Sequence, residues 1–322
     1  MQQVLVTGGA GFIGSHLAAR LLRDGYSVRI LDNFSTGHRR NLEFEAPSDR
    51  LEVLTGDLRE PEVVQRAMTG VELVFHEAAL ASVQRSIADP ALTDQVNVAG
   101  TLNLLVAAHA ARVRRVIFAG SSSVYGNAAD LPKREDQRPV PISPYGVSKL
   151  AGEEYLRVFH HVHGLETVTL RYFNVFGPRQ TADSEYSAVI PIFLSHIFRG
   201  ERPLIYGDGE QSRDFTYVDD VVEANLLAAR APLAAGQTIN VACGRRHSVL
   251  ALCRRLIEFA GAQIEPRHVD PRPGDVRHSE ADITRARTLL GYAPRVAFED
   301  GLRRTFEWFQ SVAEEAGAAR RR

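Results

Sequence analysis

The stretch VLVTGGAGFIGSHL, residues 4–17, constrains the chain more than any other. A β-branched run feeds a glycine turn, and the turn opens into a helical pattern. The glycines fit G-x-G-x-x-G as Gly9, Gly11 and Gly14, and G-x-x-G-x-x-G as Gly8, Gly11 and Gly14. Glycines permit a tight turn and let the backbone approach a pyrophosphate, while a helix N-terminus offers unpaired N–H groups to the anion. The next apolar run, SVRILD, ends in Asp32, placed to bond a ribose 2′-hydroxyl. A 2′-phosphate would be repelled by Asp32, and Asn33 adds no positive charge beside it. Arg39 and Arg40 lie farther on and read as loop cations. The pattern predicts NAD rather than NADP.

Further strand-like runs follow at helix-length spacing: LEVLTGD (51–57), VELVFHEAA (71–79), RRVIFAGSSS (114–123) and VTLRYFNVFG (168–177). Apolar strands alternating with helices predict a Rossmann-like, doubly wound parallel sheet in an α/β fold. From about residue 178 the elements shorten and Pro and Gly multiply. We therefore expect an NAD-binding domain over 1–177 and a smaller α/β substrate lobe over 178–322, with a segment of about 212–242 returning to the first domain. In GDL (56–58), Asp57 reads equally as an acceptor for an adenine amino group, with Leu58 on the ring, or as a helix N-cap.

A formal net charge of −1 argues against nucleic acid or an anionic membrane as partner. Two cysteines, Cys243 and Cys253, make neither a disulfide framework nor a zinc spacing. The N-terminus has no targeting pattern, and no apolar run is long enough to span a bilayer, so a cytoplasmic protein is expected. His160 and His163 in HHVHG have no third ligand at suitable spacing and read as a solvated helix end. Asp219 and Asp220 precede a helical pattern and read as its caps. The closing ARRR reads as a solvated tail.

SPYGVSK (143–149) puts Tyr145 and Lys149 one helical turn apart. An ammonium beside a phenol, together with an oxidised nicotinamide, is expected to push the phenol toward neutral pH. Ser121, Ser122 and Ser123 end a strand 22 to 24 residues earlier and can aim a hydroxyl at the same substrate oxygen. Such a set on a dinucleotide fold suits carbinol oxidation, with Tyr taking the O–H proton.

Together, TGGAGFIG, Asp32, GDL, HEAA, Asn97, SSSVYG, SPYGVSK and RYFNVFGPR resemble the extended short-chain dehydrogenases/reductases, and within them the NAD-dependent nucleotide-sugar 4-epimerases of the UDP-glucose/UDP-N-acetylglucosamine type. The resemblance runs from Val4 to about Trp308. It implies tightly held NAD, Tyr145 as base, and Lys149 and Ser121 beside it. Cofactor contacts are implied for Gly8, Gly11, Phe12, Ile13 and Gly14, for Asp32, Asn33, Ser35, Thr36 and Gly37, for Asp57 and Leu58, and for Ala78, Ala79, Leu80, Asn97 and Tyr172. Asn174 and Arg213 are implied at the substrate pyrophosphate, and Arg272 and Asp275 at the phosphates and uridine ribose. Ser82, Arg85, Ser122, Ser123, Ala188, Val189, Tyr206 and Ser279 are implied around the rest of the UDP-sugar. Relatives commonly form homodimers through a four-helix bundle, to which the helices at about 93–111 and 145–163 would contribute.

Departures narrow the reaction. The 4,6-dehydratases of this fold carry an acidic pair where Ser122 and Ser123 stand, so dehydration lacks its machinery here. Ser279 is small where plain-hexose epimerases are commonly bulky, which leaves room for a 2-acetamido group. Ala81 replaces a lysine of the plain-hexose type. We expect UDP-GlcNAc/UDP-GalNAc to be turned over beside UDP-Glc/UDP-Gal. Thr181 stands where a glucuronate epimerase would carry an arginine, although Arg85 could serve that carboxylate, so UDP-glucuronate stays open. Two further alternatives are a net reductase or decarboxylase on the same residues and an NAD-binding scaffold without chemistry, the last opposed by the intact Ser/Tyr/Lys set.

Overall fold

The computed structural model describes residues 2–44, 48–128, 130–181, 188–271 and 277–319. Six parallel strands arise from the apolar runs: β1 (Gln3–Thr7), β2 (Ser27–Asp32), β3 (Leu51–Thr55), β4 (Leu73–His76), β5 (Arg115–Ser121) and β6 (Glu166–Tyr172). With Gln237–Val241 they form a seven-stranded sheet in the order Gln237–Val241, β6, β5, β4, β1, β2, β3. The order reverses direction beside β1, the topology that opens a crevice at the strands' C-terminal ends. Register brings those ends level: Thr7 lies opposite Leu31 and His76, Asp32 opposite Thr55, and Ser121 opposite Tyr172.

Helices cover both faces. Along α1 (Phe12–Arg23), Leu17, Ala18, Leu21 and Leu22 are fully buried, the i, i+4 stripe of an amphipathic helix on a sheet. They share one apolar core with Val221, Val222 and Leu226 of α8 (Val218–Arg230). The opposite core is made by α2 (Pro61–Ala67), α5 (Gly100–Ala110) and α6 (Pro144–His163) on Leu5, Val74, Val116 and Phe118. Burying each such side chain stabilises the fold by about 1.5–3 kcal/mol. Two short helices, α3 (Val83–Ala88) and α4 (Pro90–Asp94), lead through a π-helical turn at Gln95–Ala99 into α5.

A separate core gathers α7 (Val189–Phe198), Phe176, Phe215 and Tyr217, with Leu252 and Leu256 from the helix Val249–Phe259 and Leu302 and Phe306 from the helix Phe298–Ala319. Its strands are two or three residues long: Leu204–Tyr206 pairs with Arg267–Val269, and Ser212–Arg213 with His247–Ser248.

Two expectations are corrected. The run 168–177 is not one strand. Asn174 takes a positive φ of 35°, which β structure does not accommodate, so β6 ends at Tyr172 and Val175–Phe176 turns away to pair with Thr216–Tyr217. Nor do Asp219 and Asp220 cap α8, whose N-cap Tyr217 has no side-chain bond. Asp220 is buried and accepts the N–H groups of Arg295 and Val296, tying a distant loop to the helix start.

Candidate active site

The glycine turn lies at the reversal point of the sheet. Gly8 has φ of +67°, and a Cβ there would stand 2.7 Å from the backbone of Ala78. A Cβ on Gly14 would stand 2.3 Å from the Gly8 carbonyl oxygen, so only glycine allows α1 to start this close to β1. Gly11 caps α1 without a side-chain bond, leaving Phe12, Ile13 and Gly14 to present the orphan N–H groups of a first helical turn. Asp32 is buried; its Oδ2 accepts from Ala10 N at 2.9 Å and its Oδ1 from Phe34 N at 2.8 Å. This holds the glycine turn and the loop carrying Asn33, Ser35, Thr36 and Gly37 on one acidic anchor. Gly37 approaches Ala10 so closely that a Cβ would fall 2.8 Å from its carbonyl carbon. A cradle of glycine backbone, an uncapped helix start and a carboxylate at the end of β2 fits a dinucleotide.

Asp57 is not an N-cap: α2 is capped at Glu60. Its carboxylate instead takes Arg59 N and the Arg59 guanidinium, and Asn33 Nδ2 at 2.8 Å. The Arg59 bond holds it down to about 2. Leu58 is 5% exposed and sits in the core against α5, its carbonyl receiving Asn103. Asn97 is also buried. Its amide accepts Leu80 N at 2.8 Å and donates to Leu80 O and to Ser148 Oγ, so it ties the Ala78–Ala79–Leu80 loop to α6. Ser148 in turn donates to Tyr145 O.

Local sequence builds the start of α6 on one side of the crevice. Ser143 accepts Gly146 N as N-cap, Pro144 occupies the first turn, and Gly164 closes the far end at φ of 68°. Tyr145 N donates to Ser86 Oγ at 3.0 Å, a contact between helices that no local pattern announces. The Tyr145 side chain is partly buried, with Ser121 the neighbour that acts on its hydroxyl. Ser121 ends β5 and also accepts Ser123 N. Lys149, one turn on, is buried and donates to Ala119 O at 2.8 Å, with its ammonium 4.8 Å from the Phe118 ring. Burial lowers its pKa to about 8, against the attraction of Glu77 and Glu153.

One electrostatic expectation is not met by the protein alone. Burial holds the Tyr145 phenol above its ordinary value, opposed by the Ser121 bond. Lys149 spends a proton on the Ala119 carbonyl rather than on the phenol.

Next to this triad lies a cavity of about 1150 Å³, ample for a ligand larger than a drug-sized molecule. Of the residues singled out in the sequence, Ser122, Ser123, Asn174, Ala188, Val189, Tyr206, Arg213 and Ser279 line it. Asn174 donates to Asp214 O, and Arg213 to the carbonyls of Ser212 and Arg277. Ser121, Tyr145 and Lys149 are not among the cavity's lining residues, although Ser122, Ser123 and Ser143 beside them are. Ser82 and Arg85 do not line it either. Ser82 caps α3 by accepting Arg85 N, and Val83, Gln84 and Ile87 of this exposed helix line the cavity while Arg85 does not. Arg272 and Asp275 fall outside the described residues.

Several lining residues were not anticipated, among them Gln84, Gln180, Gln211 and His278, whose Nδ1 lies 2.8 Å from Ser212 Oγ. Only His278 had a signal, its place directly before Ser279. Glu77 was also passed over within HEAA. Its Oε1 accepts from Tyr172 OH at 2.8 Å, and Tyr172 OH accepts from Asn225 Nδ2 at 2.7 Å. Among the described residues, no cluster of His, Cys, Asp or Glu could hold a metal ion, and no helix is long and apolar enough to cross a membrane. His160 and His163 serve locally, the first against Leu165 O and the second against the rings of His109 and Phe159.

Comparison with known proteins agrees with this geometry. A family model described as the NAD dependent epimerase/dehydratase family matches residues 4–242. A UDP-glucose 4-epimerase of Mycolicibacterium smegmatis is 40% identical over 97% of this chain and 100% of its own. Among solved structures, a UDP-N-acetylglucosamine 4-epimerase from Methanobrevibacter ruminantium, in complex with UDP-N-acetylmuramic acid, has a TM-score of 0.92 and 42% identity over 97% of this chain and 99% of that one. A UDP-glucuronic acid 4-epimerase from Bacillus cereus, in complex with NAD and a fluorinated UDP-glucuronic acid, has a TM-score of 0.89 and 32% identity over 97% and 100%. The sheet, the glycine cradle and the Ser/Tyr/Lys set thus come with a match across nearly the whole chain, which belongs to the NAD-dependent epimerase/dehydratase family.

Proposed function

We propose that the protein inverts C4 of UDP-hexoses and accepts 2-acetamido sugars as well as plain ones. The observation that carries this reading is that Ser121, at the end of β5, meets Tyr145 and Lys149 of the first turns of α6 beside a cavity whose lining at Ser122 and Ser123 has no acid. Without an acid there, the site has a base for a sugar hydroxyl but nothing for eliminating water.

Gly8, Gly11, Phe12, Ile13 and Gly14 would hold the NAD pyrophosphate, and Asp32 with Asn33, Ser35, Thr36 and Gly37 the adenosine ribose. Asp57 and Leu58 would border the adenine. Ala78, Ala79 and Leu80 would border the nicotinamide half, with Asn97 holding their loop and Tyr172 beneath. When bound, NAD supplies the chemistry that side chains lack, accepting hydrogen from C4 as hydride and returning it to the opposite face. Tyr145 removes the proton from O4 and gives it back. Ser121 holds O4 on the tyrosine, and Lys149 keeps positive charge near the phenol, which its surroundings otherwise hold protonated. Asn174, Arg213 and Tyr206, with Arg272 and Asp275, would anchor the UDP while the keto sugar turns about its phosphate linkage. Ala188 and Val189 would wall the cavity.

Ser279 lining the cavity supports room for an acetamido group. Arg85 is absent from the cavity lining, which supports the hexoses over UDP-glucuronate, while Arg199 and Arg213 do line it. Exposed Val106, Val147, Val158 and Val162 on α5 and α6 support a homodimer through those helices, and two unpaired thiols fit a reducing cytoplasm.

Proton NMR of the purified protein, without added cofactor, tests the reading against UDP-GlcNAc, UDP-glucose and UDP-glucuronate in separate tubes. A new anomeric signal for the C4 epimer of UDP-GlcNAc is expected. Inert UDP-GlcNAc beside well-turned UDP-glucose would end the acetamido assignment. Silence in all three would point to net redox or decarboxylation, read next as NADH release.

A further inference from the structure

We infer that Glu77 is a positioning residue of the reaction centre, a carboxylate that offsets the positive charge of Lys149 and of an oxidised nicotinamide held beside it. The inference rests on the cofactor placement proposed above and extends it to a group that neither the glycine cradle nor the Ser/Tyr/Lys set includes.

Glu77 directly follows β4, its N–H bonded to Thr7 O at the end of β1. Its neighbour Ala78 is the backbone that Gly8 nearly touches. It therefore stands on the C-terminal edge of the sheet, between the glycine cradle and the ends of β5 and β6. A dinucleotide laid across that edge, with its adenosine over β2, brings its nicotinamide over β4 and β5. Among the described residues, the charged and hydrogen-bonding groups that act on Glu77 come from α6, β6 and α8. Lys149 on α6 attracts it, and Tyr172 at the end of β6 donates to it. Asn225 on α8 reaches it through the Tyr172 hydroxyl. His76, the residue before it, is held neutral between Thr7 and Thr101 and contributes no charge. Glu153, the other acid near Lys149, is already paired with Arg171 at 2.7 Å.

Glu77 is thus the one acid among these without a guanidinium partner, and its carboxyl is enclosed. Burial pushes it up to about 7, against the Tyr172 bond and the Lys149 charge. A bound nicotinamide cation would favour its ionised form and bring it to or below that value. Conversely, the carboxylate stabilises the cation and makes hydride acceptance less favourable, keeping a retained cofactor oxidised between turnovers.

The test is reduction of the retained NAD by sodium cyanoborohydride, followed by absorbance of the reduced nicotinamide, in wild type and Glu77→Gln across pH. Gln keeps the shape and the acceptor for Tyr172 and removes only the charge. At pH 8.5 the variant should be reduced about tenfold faster, one pKa unit's worth of interaction between opposite charges at close range. Near pH 5, where wild-type Glu77 is protonated, the ratio should fall to about one. A ratio flat at one across the range, with NAD retained in both proteins, overturns the inference and leaves the epimerase reading standing. Wild type that neither retains NAD nor turns over a UDP-sugar sinks the earlier reading instead. If Glu77→Gln fails to fold or to hold NAD, Tyr172→Phe decides. Loss of the donated bond should move the wild-type rate step to higher pH, and an unmoved step rejects the role for Glu77.

Discussion

Across the crevice, Thr7, Asp32, His76, Ser121 and Tyr172 end strands of four to seven residues in one continuous sheet, whereas Tyr206 and Arg213 sit on strands of three and two. On the sheet side, ladders satisfy the backbone and register alone aligns the functional side chains. On the cavity side, single carboxylates take over part of that work. Asp214 is fully buried and accepts the N–H groups of Cys243, Gly244 and Ala281, joining three segments distant in sequence. Asp220 does the same for Arg295 and Val296. A sheet distributes its register over many bonds, while a lobe of short strands concentrates it on a few acids.

The largest effect should therefore come from Asp214→Ala, which takes the partner from three N–H groups, that of Ala281 buried and those of Cys243 and Gly244 partly so. At about 1–3 kcal/mol for each unsatisfied group, a loss of about 3 kcal/mol or more in denaturant unfolding is expected. Hydrogen exchange should quicken at residues 243, 244 and 281 while the amides of β4 and β5 stay protected. Equal loss of protection in the central strands would mean one cooperative unit and would erase the contrast.

Tyr145→Phe sharpens the comparison from the sheet side. Removing the hydroxyl that faces Ser121 should lower turnover by about 10²-fold or more. Thermal stability should move little, because α6 is held by its cap, its core face and the Ser86 contact. A variant with near wild-type turnover would remove Tyr145 from the proton path. A variant that melts early would make the hydroxyl part of the scaffold.

The last effect is spread over pH and vanishes near neutrality. Burial lowers His76 from 6.5 to about 3, and His16, bonded to Pro178 O, to about 4. The unfolded chain binds protons there that the folded one does not, so stability is lost as pH falls from 6.5 toward 3. His76→Gln should reduce the slope of stability against pH in that window by up to about one proton. An unchanged slope would mean that His76 is protonated in the folded sheet.

Legibility followed the same divide. The runs at 27–32 and 114–123 became β2 and β5 nearly residue for residue, because a strand buried along most of its length must be largely apolar. Tyr145 and Lys149 were legible because one helical period fixes their common face and Ser143–Pro144 announces where the helix begins. The break at Asn174 was not, since its positive φ answers to the pairing of Val175–Phe176 with Thr216–Tyr217. Asp220 looked like a helix cap because local spacing knows nothing of Arg295. Arg85 was read as a pocket cation from spacing alone, whereas the cavity is lined from α3 by Val83, Gln84 and Ile87.

The sequence by itself determined the cofactor cradle, the parallel sheet and the Ser/Tyr/Lys set, because each is a local pattern: a turn only glycine can make, a continuous apolar run, a spacing of one helical turn. Only the tertiary structure decided that Ser86 holds Tyr145, that Ser122 and Ser123 line the cavity while Arg85 does not, and that Asn225, Tyr172 and Glu77 join in one hydrogen-bonded chain. Those choices depend on the distance between strand ends and on where buried charge must be compensated. Both are properties of chain segments that meet only after folding.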